Sequence, residues 1–394
     1  MAWSALGILC ISLGAPLITV VALKPIAAEF GNVRSVPSLA YSLAWLGSAA
    51  GGIAMGLVAE RVGVRWTIIF GAVMIAAGLV LSSLGGRIAL YLGHGLFMGL
   101  LGNAGINAPL YVYVARWFDR RRGTALALIA SGQAAAGTVL APVFAHAIGW
   151  FGWRHTMQIY AALATVLIIP AALLIFRQLP RAASHLEGRH EPASAAAVFG
   201  LRPNTAFALL CLASFLCCVP MAMPQGHLVA FCNDLGITVA RGSAMLSVML
   251  AFGFMGRQLW GFIADRIGGL GTVLAGSACQ IVTMSGFLLT QDEAGLFAVA
   301  ATFGLGFSGI IPAYVLALRE LYPASEASWR VPSLLLCSGS GMAAGGWLAG
   351  AIYDYAGFYA AAFAAGIIAN LANLAIIGAL TFRQSRFSAI VLAP

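Results

Sequence analysis

The sequence predicts an all-α membrane protein of twelve transmembrane helices in two pseudo-symmetric six-helix bundles, and three observations predict it. Of 394 residues, 61% are hydrophobic and only 8% charged, too few charges to clothe a water-soluble globule of this length. Apolar runs of about 20 residues, long enough to cross a hydrocarbon core, recur along the whole chain between charge, Gly and Pro. A duplicated eight-residue segment then splits those runs into two sets of six.

The spans fall at about residues 4–23, 38–58, 66–84, 88–114, 123–149, 155–176, 205–229, 242–263, 271–290, 294–318, 331–352 and 357–380. Several carry Gly, Ser and Ala at close spacing, which lets lipid-embedded helices approach one another. The chain opens on Met1-Ala2-Trp3 and enters an apolar run without a basic leader or cleavage site, so the first span is expected to be retained. Sorted by this map, fifteen of the 21 Lys and Arg residues, among them Arg61, Arg65, Arg116, Arg266 and Arg319, lie on one side. Five lie on the other: Lys24, Arg34, Arg87, Arg154 and Arg241. The positive-inside rule makes the richer side cytoplasmic, with both termini inside.

The longest hydrophilic stretch, Arg177 to Pro203, divides the spans six and six. The expected organisation is an N-terminal bundle over 1–176, a cytoplasmic linker over 177–203 and a C-terminal bundle over 204–394. GLVAERVG at Gly56–Gly63 matches GFIADRIG at Gly261–Gly268, 205 residues on, and Gly152-Trp153 corresponds at the same offset to Gly357-Phe358. Two related halves of parallel topology follow.

Other classes fit poorly. The formal charge of +9 is dispersed over short loops and forms no face for nucleic acid. The seven cysteines include no CxxC and no metal-ligand spacing, so they read as small core residues, and neither a metal nor a cofactor is expected. No GxSxG, HExxH or P-loop occurs, so an enzyme is not expected. A membrane receptor without transport activity stays open on this architecture; flux into liposomes separates the two.

The segment Gly56-x-x-x-Glu60-Arg61-x-Gly63-x-Arg65, with its copy Gly261-x-x-x-Asp265-Arg266-x-Gly268, resembles the cytoplasmic signature of the major facilitator superfamily, although Glu60 stands where that family more often has Asp. The resemblance implies a gate, with Gly56 and Gly261 allowing close helix approach. Glu60 and Asp265 would face a helix N-terminus in the opposite half while Arg61, Arg65 and Arg266 pair nearby. The bland alternative is charged loops ending two helices. The loop Ala115-Arg116-Trp117-Phe118-Asp119-Arg120-Arg121-Arg122-Gly123-Thr124-Ala125, with Gly152-Trp153-Arg154, is similar to bacterial carriers of the monocarboxylate transporter and oxalate-formate exchanger subgroup. A topogenic positive cluster explains those arginines equally well.

Arg257, in Gly256-Arg257-x-x-x-Gly261-x-x-x-Asp265, is left about two helical turns inside span eight. A charge there costs several kcal/mol unless paired, hydrated or snorkelled, and every Asp and Glu of the chain maps to a loop or span end. Either the counter-charge is an anionic substrate, held by a guanidinium suited to carboxylates, or the side chain snorkels to the headgroups. The resemblance favours the first, because monocarboxylate carriers hold substrate with an Arg in helix eight followed by Gly four residues on.

Two departures bear on coupling. Gly253 stands where those carriers have an acid, and Leu17 after Pro16 replaces their first-helix lysine, which argues against proton coupling by that route. Span eleven carries Ser338 and Ser340 without the second cation of oxalate exchangers, so one fixed charge points to a monoanion. By analogy with this fold's cavity-lining helices, Asn103, Gln133, Tyr314 and Ser338 are candidates to orient substrate, against the alternative of interhelical hydrogen bonds. His94, His146 and His227 are candidates for a coupled proton, against a bland helix-end or interface role. The expected protein is a monomeric secondary transporter of a small organic anion, most readily a monocarboxylate, in a bacterial inner membrane. The runner-up is a proton-linked efflux pump for drugs or metabolites.

Overall fold

The computed structural model describes residues 2–117, 128–175 and 198–392. The expected linker lies mostly outside these residues, as does the Phe118–Ala125 part of the arginine-rich loop. Among the described residues the chain is helical apart from turns and one isolated bridge between Val198 and Leu201.

Twelve crossings can be followed, and nine helical stretches among the described residues are long and apolar enough to span a membrane. Two of those nine are double. Gly132–Ile175 bends at Gly152 (φ 75°), and Val239–Leu289 bends at Gly268 (φ 72°). The repeat partners of these residues, Gly357 (φ 81°) and Gly63 (φ 97°), are also left-handed. A Cβ strains such a backbone, so the duplicated glycines mark equivalent turns in the two halves.

The first crossing departs from the continuous span expected over 4–23. It is broken into Ala2–Gly14, Leu17–Val21 and Leu23–Glu29. Pro16 has no N–H to give to the preceding turn. At Gly14 a Cβ would also lie 2.6 Å from the Tyr160 hydroxyl, which donates to Ile11 O at 2.8 Å.

The fourth crossing is equally irregular. Arg87–Tyr91 leads into a π-helical stretch, Leu92–Asn103, before α-helix resumes at Ala104–Trp117. π-turns are rare and cluster at functional positions. Here Gly93, Gly95, Gly99 and Gly102 remove side chains, and the bare backbone presses on spans two and three. A Cβ on Gly47 would meet Leu100 N at 2.8 Å, and one on Gly71 would meet Gly102 O at 2.7 Å.

Overpacking of such a contact costs about 1–3 kcal/mol. Gly47→Ala and Gly71→Ala are therefore expected to lower the melting temperature in detergent. Gly56→Ala, whose Cβ meets no atom within 4 Å, is expected to leave it unchanged.

The two halves touch along two seams. Span two (Ser35–Val62) lies on span eleven (Ala324–Ala356), with Gly346 against Ser42 and Gly339 against Ala49. Span five lies on span eight, where Ser247 Oγ donates to Gly137 O at 3.4 Å. Between the seams sits the site.

Candidate functional site

Near the middle of the bundle a cavity of about 210 Å³ is bounded by both halves. Span two supplies Trp45, Ser48 and Ala49, and span five supplies Gln133 and Ala134. The other half contributes Met221, Gln225, Leu250, Gly253, Arg257, Phe307, Ser308, Ile311, Leu335, Ser338 and Met342. The wall is mostly apolar with a few convergent donors, the usual make-up of a small-molecule site.

Arg257 is set into this wall by its neighbour. A Cβ on Gly256 would fall 2.7 Å from both Leu305 O and Ser308 Oγ, so only glycine lets span eight lie so close to span ten. The guanidinium donates through Nη1 to the carbonyl oxygen of Ala130, across the interface in span five. Its Nε has no hydrogen-bond partner, and no carboxylate lies within ion-pair distance of it among the described residues. Gly253, one turn earlier, lines the same cavity and leaves room where an acid would have filled it.

The other expected substrate contacts divide. Gln133 and Ser338 share the cavity with Arg257. Gln133 Nε2 donates to Gln225 Oε1 at 3.2 Å across the halves, and the Ser338 hydroxyl meets that of Ser214 at 2.5 Å. Asn103 lines a smaller adjoining cavity of about 20 Å³ with Trp45, Ser48 and Gln133, and accepts from Ser12 Oγ at 2.7 Å.

Tyr314 is placed elsewhere. Its hydroxyl donates to Asn373 Oδ1 at 2.5 Å in a polar knot with Ser277, Gln280 and Asn370. It is 1% exposed, lies outside the cavity lining, and spends its one donor hydrogen on an interhelical tie to Asn373.

Sequence reasoning missed Trp45, Ser48, Gln225 and Ser308. Trp45 carried a signal: tryptophan belongs at the membrane interface, and this one stands mid-span. Its indole N–H is buried without a hydrogen-bond partner.

Gly56 and Gly261 meet no atom within 4 Å of an added Cβ. Glu60, Arg61, Asp265 and Arg266 are exposed, Arg266 lying over the Phe262 ring at 4.1 Å, and Arg65 keeps a buried, unpaired Nε. No ion pair of Asp265 occurs among the described residues.

A helix-terminus contact of the kind expected of the motif acid is found at the opposite face. Asp354, near the end of span eleven, accepts the backbone N–H groups of Arg34 (2.7 Å) and Ser35 (2.8 Å) at the start of span two. Opposite charge at the positive helix end stabilises this bridge between halves. Beside it Arg34 makes a two-pronged bond to Asp234 at 2.5 and 2.7 Å, Lys24 reaches the same carboxylate at 3.1 Å, and the Arg34 guanidinium lies 3.6 Å over the Tyr353 ring. Burial works against the Arg34 charge, yet the Asp234 bond and the Tyr359 hydroxyl raise its pKa above the ordinary arginine value. These contacts latch the two halves together at the face away from the termini.

Two six-helix halves related by an internal repeat, with a cavity between them, are the architecture of many transporter folds. Residues 4–328 match the Major Facilitator Superfamily, and the chain belongs to that family.

Three similarities illustrate the match. The MFS-type transporter pynF of Aspergillus niger is 26% identical over 71% of this chain and 65% of its own. Monocarboxylate transporter 13 of Rattus norvegicus is 25% identical over 93% and 83%. A bacterial homologue of the human lysosomal transporter Spinster, in an inward-facing and unoccupied conformation, shares the fold with a TM-score of 0.70 and 17% identity over 97% of this chain and 94% of that one. The chain spans just under two thirds of the length of three of the fungal relatives it matches. It is a multi-pass membrane protein of a transporter family.

Proposed function

We propose that this protein carries a small organic monocarboxylate by alternating access, with Arg257 as the anion receptor. The observation that carries this reading is a guanidinium in the wall of the central cavity with a free Nε and no protein carboxylate within reach among the described residues. A carboxylate there would take a charge-assisted bond that the Ala130 carbonyl fills only in part. Gln133 and Ser338 would orient the remainder of the cargo, and Leu250, Phe307 and Met342 would enclose an apolar body. The names of the mammalian monocarboxylate transporters among its relatives support the same class.

The arginine-rich face would be cytoplasmic in a bacterial inner membrane, so the latch closes the periplasmic side and the cavity serves the cytoplasm. The duplicated Gly56 and Gly261 motifs would engage when the latch opens.

A second reading, efflux of lipophilic compounds, draws support from the mainly apolar cavity wall. A thermal-shift screen of the purified protein with small monocarboxylates, dicarboxylates and lipophilic cations separates the two. Stabilisation by monocarboxylates, with matching uptake into proteoliposomes, is the expected result. Stabilisation by lipophilic cations alone would replace the first reading with the second.

A further inference from the structure

His227 lies in span seven, two helical turns before Asp234, and is 1% exposed. Its Nε2 is 2.8 Å from the Gly346 carbonyl oxygen and its Nδ1 is 3.0 Å from the Tyr359 hydroxyl. A carbonyl only accepts, so Nε2 carries a hydrogen, and on a neutral imidazole Nδ1 then accepts the Tyr359 O–H. Both partners belong to the latch. Gly346 is where span eleven touches span two, its Cβ position falling 2.8 Å from Ser42 Oγ. The Tyr359 ring lies against Tyr353, with centroids 4.6 Å apart, and 5.2 Å from the Arg34 guanidinium carbon.

We propose that His227 is a proton-binding site, and that a proton taken up at Nδ1 from the solvent on the latched face opens the latch. The added proton turns Nδ1 from acceptor to donor. Tyr359 must then offer its oxygen and swing its own hydrogen away, which breaks the present arrangement at one end of the Arg34 sandwich.

Charge acts in the same direction. The groups facing this corner are Lys24 from span one, Arg34 and Tyr41 from the span-two side, Asp234 from the same helix as His227, Tyr353 and Asp354 from span eleven, and Tyr359 from span twelve. Lys24 and Arg34 balance Asp234 and Asp354. A protonated His227 adds one positive charge that nothing offsets, and a buried unpaired charge is costly. Opening the latch admits water to it. Linkage makes the relation reciprocal: acid favours the open latch, and the open latch holds the proton more tightly until closure returns it to the solvent. The inference is independent of the cargo bound at Arg257.

Hydrogen–deuterium exchange on the full chain in nanodiscs, compared between about pH 5 and pH 8, the range in which an imidazole titrates, reads the latch directly. After correction for the intrinsic pH dependence of exchange, wild-type peptides covering residues 30–42 and 346–358 are expected to exchange several-fold faster at the acid end. His227→Gln, which keeps a donor for Gly346 but takes up no proton, is expected to lose that acceleration. His227→Asn carries the same test if the first variant fails to fold. A flat wild-type response, or an acid acceleration that survives in a folded His227 variant, would overturn the proposal.

Discussion

Arg257→Ala is expected to abolish carboxylate uptake into proteoliposomes while leaving a folded, monodisperse protein. Removing one partner of a desolvated, hydrogen-bonded charge pair costs about 2–5 kcal/mol, a loss of roughly 30-fold or more in affinity. The fold should tolerate it, because the hydrogen bond the side chain makes among the described residues runs to one backbone carbonyl, that of Ala130. Arg257→Lys is expected to fail nearly as badly. An ammonium keeps the charge but loses the planar fork that grips both carboxylate oxygens. Radiolabelled uptake and a melting curve on each variant check the prediction; full uptake by both variants would remove Arg257 from the site.

Asp234→Asn is expected to release the latched face. Arg34 is almost buried, with 9% of its side chain exposed, and Asp234 is 23% exposed. Breaking a buried pair by neutralising one member costs about 3–5 kcal/mol, and the lower end applies here because Asp234 is partly wet. A loss of about 3 kcal/mol shifts the balance of access states by roughly 100-fold. Ser38 is 2% exposed beneath the latch, so a Ser38→Cys reporter should react with an impermeant maleimide only when that face opens. Labelling is expected to rise sharply in Asp234→Asn and to fall back in the charge-swapped pair Arg34→Asp with Asp234→Arg. Unchanged labelling would show that Arg34 and Asp234 do not hold the face closed.

Much of the architecture was legible because lipid leaves the chain few choices. Hydropathy alone locates twelve crossings, and a duplicated motif pairs glycines that turn out to share a left-handed backbone. The breaks in the first and fourth crossings were not legible, because both preserve composition. Gly14 and Pro16 look like ordinary members of an apolar run until Tyr160 presses on them, and the glycines of Leu92–Asn103 do not themselves say that the helix widens. Arg257 stood out because a charge at that depth demands an explanation. Tyr314 was misplaced for the opposite reason: a tyrosine mid-span serves a cavity or a polar knot equally, and only the position of Asn373 decides. Asp234 and Asp354 escaped notice because acids at span ends are commonplace in sequence. Their meaning comes from Arg34, two hundred or more residues away and in the other half.

On the proposed function, the charge of the central cavity also sets how the carrier would feel voltage. Arginine stays protonated, so an unloaded cavity bears one positive charge, whereas the four charged side chains of the latch, Lys24, Arg34, Asp234 and Asp354, cancel one another. In the proposed cycle a bound monocarboxylate would cancel the Arg257 charge, and the central site of the loaded carrier would cross the field uncharged. The empty carrier would not. Its return would move a positive charge through part of the membrane field, where a full traverse is worth about 2.3 kcal/mol per 100 mV. On that reading membrane potential would act on the empty step of the cycle and draw the vacant arginine toward the negative side.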